Sequence, residues 1–189
     1  MKRTKYILHG GFKQNETQQN DLFFQEILKT APNSTKILLV YFAKEPDRID
    51  ANKREDILQF EKNKGGKTLS FEVADEKIFP EQVLHSDVIY LHGGKTQKIL
   101  DSLKEFENLK SLFHGKIIAA DSAGTNALST YSFSQSSNAI LEGTKVLPFK
   151  TICHYSEKYK DKIDDLKVLG GDSELLLLAE YQFKVFEQE

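Results

Sequence analysis

The chain is poor in several things at once, and each shortage removes a class of protein. One cysteine, Cys153, stands among 189 residues. No internal disulfide can form, so a small secreted scaffold held by disulfides is excluded and a reducing compartment suits the chain. The formal net charge is only -2, which leaves no overall basic field to gather nucleic acid. No apolar run approaches the roughly 18 residues of a membrane span. The start, Met1-Lys2-Arg3-Thr4-Lys5-Tyr6-Ile7-Leu8, is basic and then apolar, but His9-Gly10-Gly11 interrupts it too early for a signal-peptide core. No internal repeat or linker-like stretch divides the chain, and no G-x-G-x-x-G or P-loop spacing marks a nucleotide site. These absences lead us to expect one cytoplasmic domain over 1–189, with no metal or cofactor and with no nucleic acid or membrane as partner.

What is present is ordinary globular composition, 39% hydrophobic and 29% charged, in strand-like and helix-like segments that alternate. Tyr6-Ile7-Leu8, residues 37–42, 68–73, 87–91 and 116–120 read as buried strands. Residues 21–29, 47–63 and 96–103 carry helical stripes, the last continued by a second helix to 113. The Ser/Asn-rich stretch 132–138 reads as a loop, 145–154 as a strand, 156–165 as a short helix and 174–187 as a terminal strand pair. Repeated β-α units predict an α/β fold, a three-layer α/β/α sandwich with a mostly parallel central sheet. Sites in such sheets form beyond the carboxyl ends of the strands. Three glycine-bearing strand ends should converge there: Gly10-Gly11, Gly93-Gly94 and Ala123-Gly124.

The segment Ala120-Asp121-Ser122-Ala123-Gly124 joins an expected strand to an expected helix with small residues two before and two after the serine. That is the pattern of a nucleophile elbow, which lifts a hydroxyl above the sheet and leaves the next N–H free at a helix start. The same residues also suit a plain strand-to-helix turn with Ser122 as N-cap. A serine nucleophile needs a base. Of five histidines, His85 and His114 precede strands and fall at the wrong end of the sheet. His9, His92 and His154 fall at the right end, and spacing does not decide among them. Cys153 reads as a small buried residue.

Taken together, Tyr90-Leu91-His92-Gly93-Gly94-Lys95-Thr96, Ile118-Ala119-Ala120-Asp121-Ser122-Ala123-Gly124-Thr125-Asn126 and Cys153-His154-Tyr155 resemble the serine peptidase family of aspartyl dipeptidase (peptidase E) and cyanophycinase. That family has the class I glutamine amidotransferase-like (flavodoxin-like) fold. The resemblance implies Ser122 as nucleophile, His154 as general base, and the N–H groups of Gly94 and Ala123 as oxyanion donors. It implies acyl transfer to serine followed by hydrolysis, on a small peptide substrate, by a monomer or homodimer. Asp172, in Gly170-Gly171-Asp172-Ser173-Glu174, is the expected orienting carboxylate, with Glu174 behind it. The chain departs from the family at Asp121, where an uncharged residue is usual, so that an ion pair or solvent is expected for this carboxylate. It departs again at His92 and Lys95, which replace Gly and Asn of the Gly-rich loop. No arginine follows His154; Lys158, Lys160 and Lys162 are the cations there. The alternative to a hydrolase is a catalytically inactive binding domain on the same scaffold.

Overall fold

The structure, a computed structural model, describes residues 3–12 and 17–189, with only the backbone of residues 17 and 18. Met1 and Lys2, part of the basic start, lie outside the described residues, as do positions 13–16.

Strands β1 (Thr4–His9), β2 (Ser34–Val40), β3 (Thr68–Val73), β4 (Val88–Leu91), β5 (Ile117–Asp121) and β10 (Phe183–Gln188) form one sheet in the order β10-β1-β5-β4-β2-β3. All pairs are parallel except β10 with β1. A second sheet, in the order β7-β6-β8-β9, holds β6 (Tyr131–Ser134), β7 (Ala139–Glu142), β8 (Phe149–Cys153) and β9 (Glu174–Leu178). The helices are α1 (Asp21–Lys29), α2 (Pro46–Asn63), α3 (Phe79–Leu84), α4 (Thr96–Leu103), α5 (Leu109–Leu112), α6 (Ala123–Leu128) and α7 (Asp161–Lys167).

The apolar runs that make the parallel strands are covered on both faces. Ile7, Ile37, Leu39, Val88, Tyr90 and Ala119 pack with α1 and α2 in one core. Their neighbours Leu8, Leu38, Val40, Ile89, Leu91 and Ala120 pack with α3 to α6 in the other. This alternation along each strand is the three-layer α/β/α arrangement. Among the described residues no helix is long and apolar enough to cross a membrane.

Several expectations are corrected in detail. Residues 132–138 are not a loop throughout but the core of a β-hairpin, β6 pairing antiparallel with β7; its polar side chains face a buried interior where Ser132 and Ser134 are covered. The terminal strands do not pair with each other. β9 joins β8 in parallel, whereas β10 crosses to β1. Helix α3 falls on a stretch without a clear apolar period, whereas α4 ends at Leu103 and is followed by a second helix, α5, as expected.

Candidate active site

The three glycine-bearing strand ends do converge. Parallel register sets His9 beside Asp121, so the ends of β1 and β5 finish together. The backbone turns sharply at Ser122, with φ 46° and ψ -101°, outside the regions an L-residue favours and costing on the order of 1–3 kcal/mol. The chain retains this strain through fixed contacts. The Ser122 N–H donates to the His9 carbonyl at 3.0 Å and the Asn126 N–H to the Ser122 carbonyl at 2.9 Å. The Thr125 hydroxyl reaches the carbonyls of His9 and Ala120. Gly124 packs against the Leu91 backbone so closely that any Cβ would collide with it, which is why the position two after the serine is glycine.

Ser122 is not a side-chain N-cap: its hydroxyl makes no capping bond. Instead Oγ lies 3.0 Å from His154 Nε2. His154 leaves β8 with φ 50°, anchored by its N–H to the Gly10 carbonyl at 2.7 Å. The side-chain amide of Gln135, from the β6–β7 turn, donates to the carbonyls of Cys153 and His154. On the far side of the ring, His154 Nδ1 lies 3.5 Å from Glu180 Oε1. The serine hydroxyl, imidazole and carboxylate are thus in line.

Asp172 is not in this line. Parallel register sets Glu174 against Phe149 and Leu178 against Cys153. Asp172 therefore precedes the end of β9 remote from His154, a separation of more than about 13 Å at the rise of a strand. It is exposed, and Glu174 pairs with Lys184. Glu180 went unnoticed because only the parallel pairing of β8 with β9 carries the chain beyond Leu178 to the imidazole; the sequence offered the signal of an acid two residues past a strand end.

Of the other histidines, neither His9 nor His92 reaches Ser122. His9 Nδ1 contacts Asp121 Oδ1 at 2.9 Å, with both side chains buried. Burial opposes the charge of Asp121, yet chiefly the His9 hydrogen bond holds its carboxyl below the ordinary value. The carboxylate beside the nucleophile is thus engaged in a buried pair. His92 lies under the Gly93-Gly94 turn, with Nδ1 2.9 Å from the Gly93 carbonyl oxygen. Cys153 is buried, with its thiol pKa pushed up by burial and by the Asp121 charge. Its Sγ lies 3.4 Å from the Ser122 carbonyl oxygen, away from an elbow position.

The expected oxyanion donors flank the serine. The Ala123 N–H opens α6, where no carbonyl precedes it in the helix. Gly94, at φ 154°, is forced to be glycine by the Ala43 carbonyl where a Cβ would stand. Ser122, His154 and Gly94 border two cavities. One, of about 380 Å³, carries Lys44, Arg48, Asn52 and Glu55. The other, of about 340 Å³, carries neutral polar groups from Thr96, Asn126 and the β6–β7 turn. Arg48, Asn52 and Glu55 are spaced four and three apart on α2 and so share one face, while Asp56 and Phe60 turn to the core. Burial lowers the pKa of Lys44, and Arg48 adds to this against the carboxylates around it. The lysines after His154 lie elsewhere: Lys158 stacks over Tyr159 and Lys162 pairs with Asp161.

The profile of Peptidase family S51 matches residues 6–184. The chain belongs to that family. It is accordingly a serine-type peptidase, a hydrolase. Among solved structures, the S51 chain resembles a peptidase from an acI-B1 Actinobacterium at 20% identity and TM-score 0.70, over 97% of this chain and 83% of that one. It also resembles a protein named as a peptidase E from Listeria monocytogenes EGD-e, at 15% identity and TM-score 0.66, over 98% of both chains. At these identities the two likenesses carry the fold. No curated protein matches.

Proposed function

We propose that this S51 peptidase cleaves short peptides through an acyl-enzyme on Ser122. The observation that carries the reading is the 3.0 Å approach of Ser122 Oγ to His154 Nε2 at a strained strand-to-helix corner. A catalytically inert binding domain would have no reason to maintain that corner.

In this reading His154 Nε2 accepts the Ser122 proton as Oγ attacks the peptide carbonyl. The oxygen that becomes negative is stabilised by the N–H groups of Ala123 and Gly94 and by the start of α6. The tetrahedral species collapses, the C–N bond breaks, and the leaving amine takes the proton from His154. Water then attacks the ester, giving its proton to His154, and Ser122 is released. Glu180 holds the imidazole with Nδ1–H outward and Nε2 toward the serine.

Substrate size and polarity follow from the two cavities. Each is of the volume of a small-ligand site rather than an extended protein-binding groove. The charged half suits a peptide end, with Lys44 and Arg48 for a carboxylate and Glu55 for an amine. The experiment is labelling with a fluorophosphonate probe alongside hydrolysis of a dipeptide and tripeptide panel. Wild-type protein should label and turn over, and Ser122→Ala should do neither. Equal labelling of the alanine variant would remove Ser122 from the chemistry.

A further inference from the structure

We propose that His92 is a positioning residue that holds the Gly93–Gly94 peptide so that the Gly94 N–H faces the Ser122 side of the cleft. The inference rests on the serine peptidase reading and concerns a residue that stands where the Gly-rich loop of the resembled family has glycine.

The argument begins with what a carbonyl can do. His92 Nδ1 lies 2.9 Å from the Gly93 oxygen. A carbonyl oxygen only accepts, so Nδ1 carries the proton. No described peptide is cis, and in a trans peptide the C=O and the following N–H point to opposite sides of the plane. Fixing the Gly93 oxygen toward the buried imidazole therefore turns the Gly94 N–H the other way. The other side is the cleft, which Gly94 borders together with Ser122 and His154. Glycine gives this peptide no preference of its own. A flipped plane would present the carbonyl to the developing negative charge instead of a donor.

The imidazole is itself held. Its Nε2 lies 3.4 Å from Asp56 Oδ2, and the Tyr41 hydroxyl donates to the same oxygen at 2.7 Å. All three side chains are buried. With Nδ1 protonated and the ring neutral, Nε2 is an acceptor, which a protonated Asp56 can satisfy. Tyr41 O–H donates to Asp56 Oδ2 and His92 Nδ1–H to the Gly93 oxygen, with Asp56 Oδ2 and His92 Nε2 facing each other between these two bonds. The electrostatics agree. Burial, followed by the Lys44 charge, pushes the His92 pKa down to about 4, and burial raises that of Asp56 well above the carboxylate range. His92 is therefore uncharged at neutral pH, and its Nδ1 hydrogen bond together with the buried Tyr41–Asp56 pair packed against it, not an ion pair, fixes the ring. Close packing limits the turn from the other side: a Cβ on Gly93 would lie 2.6 Å from Asp121 Oδ2 and 3.2 Å from Ser122 Cβ.

Two readouts test this. The first uses the unaltered protein. Long-range nitrogen-proton NMR of the imidazoles, with His92→Asn to assign the signals, should show His92 as the neutral Nδ1–H tautomer at pH 7. An Nε2–H tautomer or an imidazolium would overturn the proposal. The second is the labelling of Ser122 by a fluorophosphonate, in which Oγ displaces fluoride from phosphorus and the phosphoryl oxygen occupies the oxyanion position. The rate is split into probe binding and bond formation. His92→Asn, whose side-chain amide N–H replaces Nδ1–H, should retain bond formation within about threefold. His92→Leu, which cannot donate, should slow bond formation on the order of ten- to hundredfold with probe binding unchanged. Equal rates for the folded Leu variant and the wild type, or equal losses in the Asn and Leu variants, would overturn the role of the donor. Failure of the wild type to label would instead strike the serine peptidase reading, and the positioning role with it.

Discussion

Gly11 and His154 occupy adjoining space so tightly that a Cβ on Gly11 would fall inside the imidazole of His154. The same glycine sits at φ 105°, a conformation that side chains rarely adopt. Two separate constraints thus select glycine at one residue of the β1 end, and both serve the position of the ring. The second residue of the Gly10-Gly11 pair leaves room for the base.

Gly11→Ala should therefore displace His154 from Ser122 while leaving most of the fold in place. The expected loss in Ser122 labelling rate is about a hundredfold or more, comparable to losing the base. The expected stability cost is about 1–3 kcal/mol from the positive φ. Labelling kinetics beside a denaturant melt separate the two effects. Wild-type labelling in the alanine variant would mean that the ring does not need this space.

Glu180 and Asp172 give opposing expectations. Glu180→Gln keeps the shape but replaces the carboxylate beside His154 Nδ1 with an amide. On the orienting role argued above it should lower kcat on the order of 10²- to 10³-fold, less than for a fully buried triad acid because Glu180 is about a third exposed. Asp172→Asn, at the remote end of β9, should leave kcat and KM unchanged. Steady-state kinetics on one peptide substrate decides; the reverse order of effects would move the orienting role back to Asp172.

What could be read from the amino acids follows from how local each signal is. The corner at Ser122 is written in five consecutive residues, because steric demands at Ala120 and Gly124 act within one turn. The inner parallel strands β1, β2, β4 and β5 were readable because both their faces are buried and their runs are continuously apolar. Glu180 was not readable in the same way. It meets His154 only through the register of β8 with β9, which depends on pairing between segments more than twenty residues apart. Lys44, Arg48 and Glu55 were missed for a related reason. They line the cleft from α2 and the turn before it, and nothing in a charged stretch says which solvent-exposed side lies next to Ser122. Residues 132–138 read as a loop because Ser132 and Ser134, polar by composition, are covered on folding.

Lys44 and Arg48 carry a prediction about substrates. Both line the cavity beside Ser122, and neither lies at the reacting atoms. Lys44→Met and Arg48→Ala should raise KM for peptides that place a carboxylate in that cavity and leave kcat nearly unchanged, the pattern of lost uniform binding. For half-buried Lys44 the rise should be on the order of tenfold, within the range of a charge-assisted hydrogen bond. For exposed Arg48 it should be smaller. Amidating that carboxylate should cancel the difference between wild type and variants. A fall in kcat with KM constant would instead connect these cations to the chemical step.

Asp56 sets the pH dependence of stability in the opposite sense from most carboxylates. Its folded pKa lies above its ordinary value of 3.8, chiefly through burial. The neutral carboxyl's contribution is therefore complete below that value and is lost as pH rises toward the folded pKa. His92 acts on the other flank. Its folded value of about 4 lies below 6.5, so its contribution is complete above 6.5 and is lost as pH falls toward 4. Asp56→Asn cannot ionise, and at the Oδ2 position that meets both Tyr41 and His92 it offers either an amide donor or an amide oxygen, not both. The stability difference should shift in favour of the Asn variant as pH rises above about 4 toward the folded pKa of Asp56, since only the wild type carries the cost of a buried acid. Because His92 touches Asp56, its flank is measured separately in the Asn variant rather than taken to cancel. Urea unfolding at several pH values measures that difference directly. A difference that is flat with pH, or that shrinks as pH rises, would mean that the Asp56 carboxyl does not stay neutral beneath the Gly93-Gly94 turn.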